Sequence, residues 1–114
     1  METAKRKITG WLDAHAGEVS GFLSELIRIP SVNPWFGGDT SLHREGDVQR
    51  FIAGKMHALG ADIGLFEPDA AAPAKYRGRP GYYEDRSFAD RPNLAATVKG
   101  SAGGPSLMLA GHID

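Results

Sequence analysis

The most informative stretch of the sequence is Ser106-Leu107-Met108-Leu109-Ala110-Gly111-His112-Ile113-Asp114. Its first five residues form an apolar run of strand length, which is typical of a strand buried on both faces. Residues 100–105 are rich in glycine and connect this run to an alternating segment at 93–98. Because short glycine-containing connections often join antiparallel strands, the pattern predicts that the two segments form a hairpin.

Upstream of this hairpin, the sequence predicts helices and one further strand. Apolar residues recur at three- and four-residue steps over 8–27, which predicts either one long packed helix with a weak point at Gly17 or two helices that meet near it. A second helical stripe covers 48–59, and Gly60 follows as its expected C-terminal cap. Residues 61–66 alternate as a short strand. This order predicts an α/β fold in which N-terminal helices pack on a mixed β-sheet.

Composition and charge narrow the class of protein. The chain has 114 residues, 41% hydrophobic and 24% charged, which is typical of one globular domain. Its formal net charge of -1 argues against a dedicated nucleic-acid-binding protein. The absence of cysteine excludes thiol chemistry, so any metal would be held by His, Asp or Glu. The sequence has no apolar run long enough for a membrane span and no signal-peptide core, so we expect a cytoplasmic location.

A long polar segment occupies residues 67–92, where neither helical nor strand periodicity is present. Loops of this length are usually functional or mobile. Tyrosine, phenylalanine and arginine are interspersed over 76–91, a mixture that can bind single-stranded nucleic acid, but Glu84, Asp85 and Asp90 offset its charge. We therefore expect the aromatic side chains to hold this segment, an insertion, against the body of the domain.

The main candidates for chemistry are His112 and Asp114. Residues two apart in an extended segment point to the same side, so these side chains should face one direction while Ile113 turns inward. Ligands of α/β proteins bind beyond the carboxyl ends of strands, and a metal-binding histidine commonly donates its second ring nitrogen to a carboxylate. Taken by itself, this short triplet fits either a metal ligand with its supporting acid or a histidine that is merely paired with an acid.

The other histidines are weaker candidates. We expect His15 to pack on the apolar stripe of the first helix, His57 to complement the helix dipole and His43 to lie in a loop. None has the His-x-x-x-His spacing of a helical zinc site, and the sequence contains neither a nucleophile elbow nor a Walker-type phosphate loop. Trp11 and Trp35 are expected to be packing residues, although Trp35 could reach a cleft.

Three ordered patterns carry a family resemblance. They are a helical segment that continues into Ile29-Pro30-Ser31-Val32-Asn33-Pro34, a strand segment that begins Arg91-Pro92-Asn93-Leu94, and the stretch 106–114. Together they resemble the di-zinc amidohydrolases, the group that contains acetylornithine deacetylase, succinyl-diaminopimelate desuccinylase, aminoacylase and carboxypeptidase G. The likeness covers most of the chain and is least informative over 67–90.

The resemblance implies that residues 1–114 are the N-terminal part of a zinc-peptidase-like catalytic domain. The implied activity is hydrolysis of the amide bond of N-acyl amino acids or small peptides, with two zinc ions as cofactors, or with cobalt or manganese. His112 would be a ligand of one zinc ion, and Asp114 would be the catalytic-site acid that orients its imidazole. The general-base glutamate, the bridging carboxylate and the remaining ligands would come from outside this chain.

The same resemblance implies a homodimeric parent that acts on small molecules. The near-zero net charge and the lack of a long apolar run lead us to expect no nucleic-acid or membrane partner. On this interpretation the 114-residue piece alone is inactive and binds zinc weakly, since a zinc site needs about three or four protein ligands. Two alternatives remain open. The chain could be a small non-catalytic interaction module that uses residues 76–91, or a catalytically dead relative that only binds a ligand.

Overall fold

The computed structural model describes residues 2–101 and 103–114. The described residues form three α-helices, which are α1 (Glu2–Ala14), α2 (Ala16–Ile27) and α3 (Glu45–Ala58), and two strands, which are β1 (Asp62–Phe66) and β2 (Asn93–Thr97). Three short 3-10 turns lie in the connecting loops, at Pro34–Phe36, Thr40–Leu42 and Ala72–Tyr76. The chain is therefore mixed α/β. None of the helices in the described part is long and apolar enough to cross a bilayer.

The first apolar stripe forms two helices, with the break at His15. The ring Nδ1 of His15 donates a hydrogen bond to the Trp11 carbonyl oxygen at 2.7 Å, and the two rings stack with centroids 4.2 Å apart. The backbone of His15 leaves the helical region, with φ -118° and ψ 20°. Gly17, the weak point in the sequence, lies in the first turn of α2.

The expectation that this stripe is packed is wrong for the described structure. Apolar side chains on α1 and α2 are largely exposed, among them Ile8, Trp11, Leu23 and Ile27. Contact with the rest of the domain runs along one edge of α2, where Phe22 stacks on Phe51 of α3 with ring centroids 6.0 Å apart. Periodicity shows that a helix has an apolar face, but it does not supply the surface that would cover that face.

The sheet and α3 form the small core. Strands β1 and β2 pair antiparallel, with Asp62 opposite Thr97 and Phe66 opposite Asn93, and α3 packs against both. The buried apolar side chains of the described residues are Val48, Ala53 and Ala61. As predicted, α3 ends at a glycine cap. Gly60 has φ +81°, and the N–H groups of Gly60 and Ala61 donate to the carbonyls of His57 and Met56.

The predicted third strand is not formed in the described structure. Residues 106–110 belong to neither a helix nor a strand, and the expected hairpin with 93–98 is absent from the described residues. The side chains of Leu107, Met108 and Leu109 are 83–86% exposed instead of buried. An apolar run indicates a segment that gains from burial, whereas a strand also requires a neighbouring backbone to pair with. The observed sheet therefore has two strands, not the larger mixed sheet that was expected.

The loop of residues 67–92, called here the 67–92 loop, contains no strand or α-helix among its residues, in agreement with the sequence. Its two ends are joined because the Asp90 N–H donates to the Glu67 carboxylate at 2.6 Å. Arg50 of α3 donates to Asp90 at 2.8 Å. Phe88 packs edge-on against Trp35 with centroids 5.5 Å apart, so an aromatic residue does help to hold the loop on the body.

Candidate functional site

The segment 111–114 lies against the loop that follows α2. The Asn33 side-chain amide donates to Asp114 Oδ2 at 2.7 Å, and the Ser31 hydroxyl donates to the carbonyl of Ile113. Asn33 is buried and fixed at its other end, since its Oδ1 accepts a hydrogen bond from the Trp35 N–H at 3.0 Å. These contacts join residues that are about eighty positions apart in the chain, and they hold the Asp114 carboxylate in place.

His112 and Asp114 are in direct contact. The distance from His112 Nδ1 to Asp114 Oδ1 is 3.0 Å. Because a carboxylate only accepts hydrogen bonds, the proton of a neutral His112 ring lies on Nδ1, and Nε2 keeps its lone pair. The His112 side chain is 90% exposed, whereas that of Asp114 is 24% exposed. The ring is therefore open to an incoming ligand, and its supporting carboxylate is more sheltered.

The surroundings of Asp114 favour its charged form. The Asn33 amide, and after it the His112 ring, hold the pKa of the Asp114 carboxyl below its ordinary value of 3.8. Hydrogen bonds donated to a carboxylate stabilise the ionised state, and this outweighs the small opposing effect of burial. Asp114 is thus ionised at neutral pH and available to orient the imidazole.

An open cavity of about 380 Å³ adjoins these residues. Its lining includes His112, Asp114 and Asn33 together with the Glu45–Arg91 pair. Arg91 binds Glu45 through two nitrogens, Nε and Nη2, the latter 3.0 Å from Oε1. The third nitrogen, Nη1, is buried and has no hydrogen-bond partner among the described residues.

The donor set fits one metal ligand and does not complete a metal site. Among the described residues, no group of three or more His, Asp or Glu side chains is arranged to hold an ion. Of the other histidines, His15 bonds to its own helix, and His43 Nε2 lies 3.3 Å from the Gly37 carbonyl. His57 lies near the end of α3 and is exposed. The structure thus brings His112 and Asp114 together, whereas the other three histidines lie away from this pair.

Sequence reasoning missed Asn33, Ser31 and the Glu45–Arg91 pair. The turn chemistry of residues 30–34 was recognised, and Asn33 before Pro34 is a typical cap of a short turn. No local signal indicates that its free amide hydrogen reaches Asp114. The same holds for Glu45 and Arg91, which lie 46 residues apart and meet only after the 67–92 loop folds back onto α3.

Comparisons of the chain with protein-family models, with curated proteins and with solved structures found no match.

Proposed function

We propose that this chain is part of a zinc-dependent hydrolase that cleaves the amide bond of N-acyl amino acids or small peptides. The observation that supports the proposal most strongly is the chain of hydrogen bonds from Asn33 to Asp114 to His112. This arrangement leaves Nε2 of an exposed imidazole free beside a cavity. The sequence resemblance to the di-zinc amidohydrolases suggests the metal and the class of substrate.

In this proposal each residue has a limited role. His112 Nε2 is a ligand to one metal ion, and Asp114 holds the proton on Nδ1 and fixes the orientation of the ring. Asn33 would be a positioning residue, because its side-chain amide holds Asp114. A bound zinc ion would supply a Lewis acid and an ionisable water near neutral pH. Completing such a site requires ligands from polypeptide outside residues 1–114, which also accounts for the expected inactivity of this piece alone.

The proposal is tested on the longer parent polypeptide that it predicts. The parent is depleted of metal with a chelator and assayed with N-acyl amino acids before and after zinc is restored. We expect hydrolysis to disappear on depletion and to return with zinc. Hydrolysis that is insensitive to the chelator would contradict a metal-dependent mechanism. A parent that binds zinc but hydrolyses no N-acyl amino acid or dipeptide would instead be a ligand-binding relative without catalysis.

A further inference from the structure

A second cleft also has Trp35 in its lining. It has a volume of about 600 Å³ and is bounded mainly by the 67–92 loop. Its walls are rich in aromatic side chains and proline, including Tyr76, Tyr83 and Phe88. Trp35 and Phe88 also line the cavity beside His112, so the two spaces share these side chains. This size and lining are typical of small-molecule sites, which combine apolar walls with a few fixed polar groups.

The fixed polar group in this cleft is Arg86. Its guanidinium carbon lies 4.0 Å from the centroid of Trp35 and 3.7 Å from that of Tyr83. Stacking on rings fixes the plane of a guanidinium while leaving its N–H groups available at the edge. No hydrogen bond or ion pair to Arg86 occurs within the described residues, and the side chain is half-buried. Arg86 is therefore a pre-oriented donor with unused N–H groups.

Arg79, which also lines the cleft, is exposed and has no ion pair and no stacked ring among the described residues. Three other arginines in or beside the loop are paired. Arg50, Arg77 and Arg91 each bind a carboxylate, at Asp90, Glu84 and Glu45 respectively. Contacts other than those of Arg86 also anchor the loop. Trp35 already packs against Phe88, and the guanidinium carbon of Arg91 lies 4.2 Å from its ring centroid. A structural role for Arg86 alone thus leaves its free donors unexplained.

We propose that this cleft binds a small aromatic molecule with a single carboxylate, which Arg86 holds through paired hydrogen bonds. A guanidinium matches the geometry of a carboxylate, and the aromatic walls match a planar group attached to it. Arg79 adds a second positive charge to the lining and Asp85 a negative one. That balance suits a monoanion better than a doubly charged phosphate, which Asp85 would repel. This site needs no metal and goes beyond the proposed hydrolase activity.

Binding is measured in the 114-residue chain by the NMR signal of the Trp35 indole N–H. The chain has Trp11 as its other tryptophan, so Trp11→Phe identifies the Trp35 signal. The probe is phenylacetate, which is not an N-acyl amino acid, and phenylacetamide is its neutral counterpart. We expect a saturable shift with the acid. The amide should bind at least about tenfold more weakly than the acid, because a charge-assisted hydrogen-bonded pair is lost. Phenyl phosphate should also bind more weakly than the acid.

Two variants separate binding from folding. Arg86→Gln should reduce affinity for the acid by about tenfold or more, while Arg6→Gln, which removes the same charge on α1, should leave it unchanged. Far-UV circular dichroism checks that both variants fold. If Arg86→Gln fails to fold, the comparison of acid and amide on the unmodified chain still decides the question. Equal affinity for acid and amide, tighter binding of phenyl phosphate, or no saturable shift would each overturn the proposal.

Discussion

Gly46 lies so close to Asp90 that a Cβ atom at position 46 would be 2.5 Å from Asp90 Oδ1 and 2.6 Å from its backbone oxygen. The first turn of α3 therefore has room for the end of the 67–92 loop only because residue 46 has no side chain. Asp90 itself has φ +55°, a backbone conformation that residues other than glycine rarely adopt outside turns. This contact, together with Arg50 and Glu67, helps to hold the loop on the domain.

Gly46→Ala should consequently destabilise the fold by about 1–3 kcal/mol, since the Asp90 backbone cannot move away by a simple side-chain rotation. The matched control is Gly54→Ala in the same helix, where nothing lies within 4 Å of an added Cβ. That variant should gain up to about 1 kcal/mol from helix propensity. Urea unfolding measures both free energies. Equal effects of the two substitutions would refute the close contact.

The Glu45–Arg91 pair gives a second prediction about stability. Its side chains are only 8% and 15% exposed, so Glu45→Gln leaves a buried guanidinium without its counter-charge. We expect a loss of about 3–5 kcal/mol in the free energy of unfolding. Lys99→Gln breaks an exposed pair with Asp62 and should cost less than about 1 kcal/mol. Thermal unfolding compares the two variants, and a loss as small for Glu45→Gln as for Lys99→Gln would contradict the burial.

Acid stability should depend on Asp47. Hydrogen bonds from Arg50, and secondly from Arg44, hold the pKa of the Asp47 carboxyl below its ordinary value of 3.8. A lowered pKa in the folded state stabilises the fold above pH 3.8, and this stabilisation is lost as pH falls through the folded pKa. Asp47→Asn should therefore reduce the loss of stability on acidification below this pH. Urea midpoints measured from about pH 5 to about pH 2 check this. If the pH dependence of the urea midpoint is the same for Asp47→Asn and the unmodified chain, Asp47 does not contribute to acid stability.

How much of the fold could be predicted depended on how local the signals were. Strands β1 and β2 and the Gly60 cap were predictable because alternation and a glycine after an apolar stripe involve neighbouring residues. The strand expected at 106–110 was not, because an apolar run does not reveal whether a partner strand is present. The exposure of the apolar faces of α1 and α2 could not be predicted for the same reason, because periodicity does not reveal whether a partner surface is present.

In the candidate site, too, local features were predictable from the sequence and long-range contacts were not. The two-residue spacing predicts that His112 and Asp114 face the same side, but it does not by itself show a contact. The structure supplies that contact, with 3.0 Å between His112 Nδ1 and Asp114 Oδ1. The contact from Asn33 to Asp114 spans 81 residues and depends on how two loops meet, which no periodicity encodes. The metal-ligand role of His112 stays a prediction, because the further ligands that it requires are not among the described residues.

Asp114→Asn should weaken zinc binding by the parent protein by about 10–100-fold, because the imidazole loses the carboxylate that orients it. The variant keeps the size of the side chain, so packing against Asn33 is disturbed little. Zinc affinity is measured by competition with a coloured chelator, and Asp13→Asn on the exposed helix α1 is the control. Unchanged affinity in Asp114→Asn would mean that the carboxylate has no part in holding the metal ligand.

The zinc content of the purified parent protein with His112→Ala tests the central proposal most directly. The control is His57→Ala, which removes an exposed imidazole at the end of α3. We expect His57→Ala to retain all of its zinc and His112→Ala to lose a large part of it, with both proteins folded. Full zinc content in His112→Ala would contradict the assignment of His112 as a ligand, and with it the hydrolase proposed here.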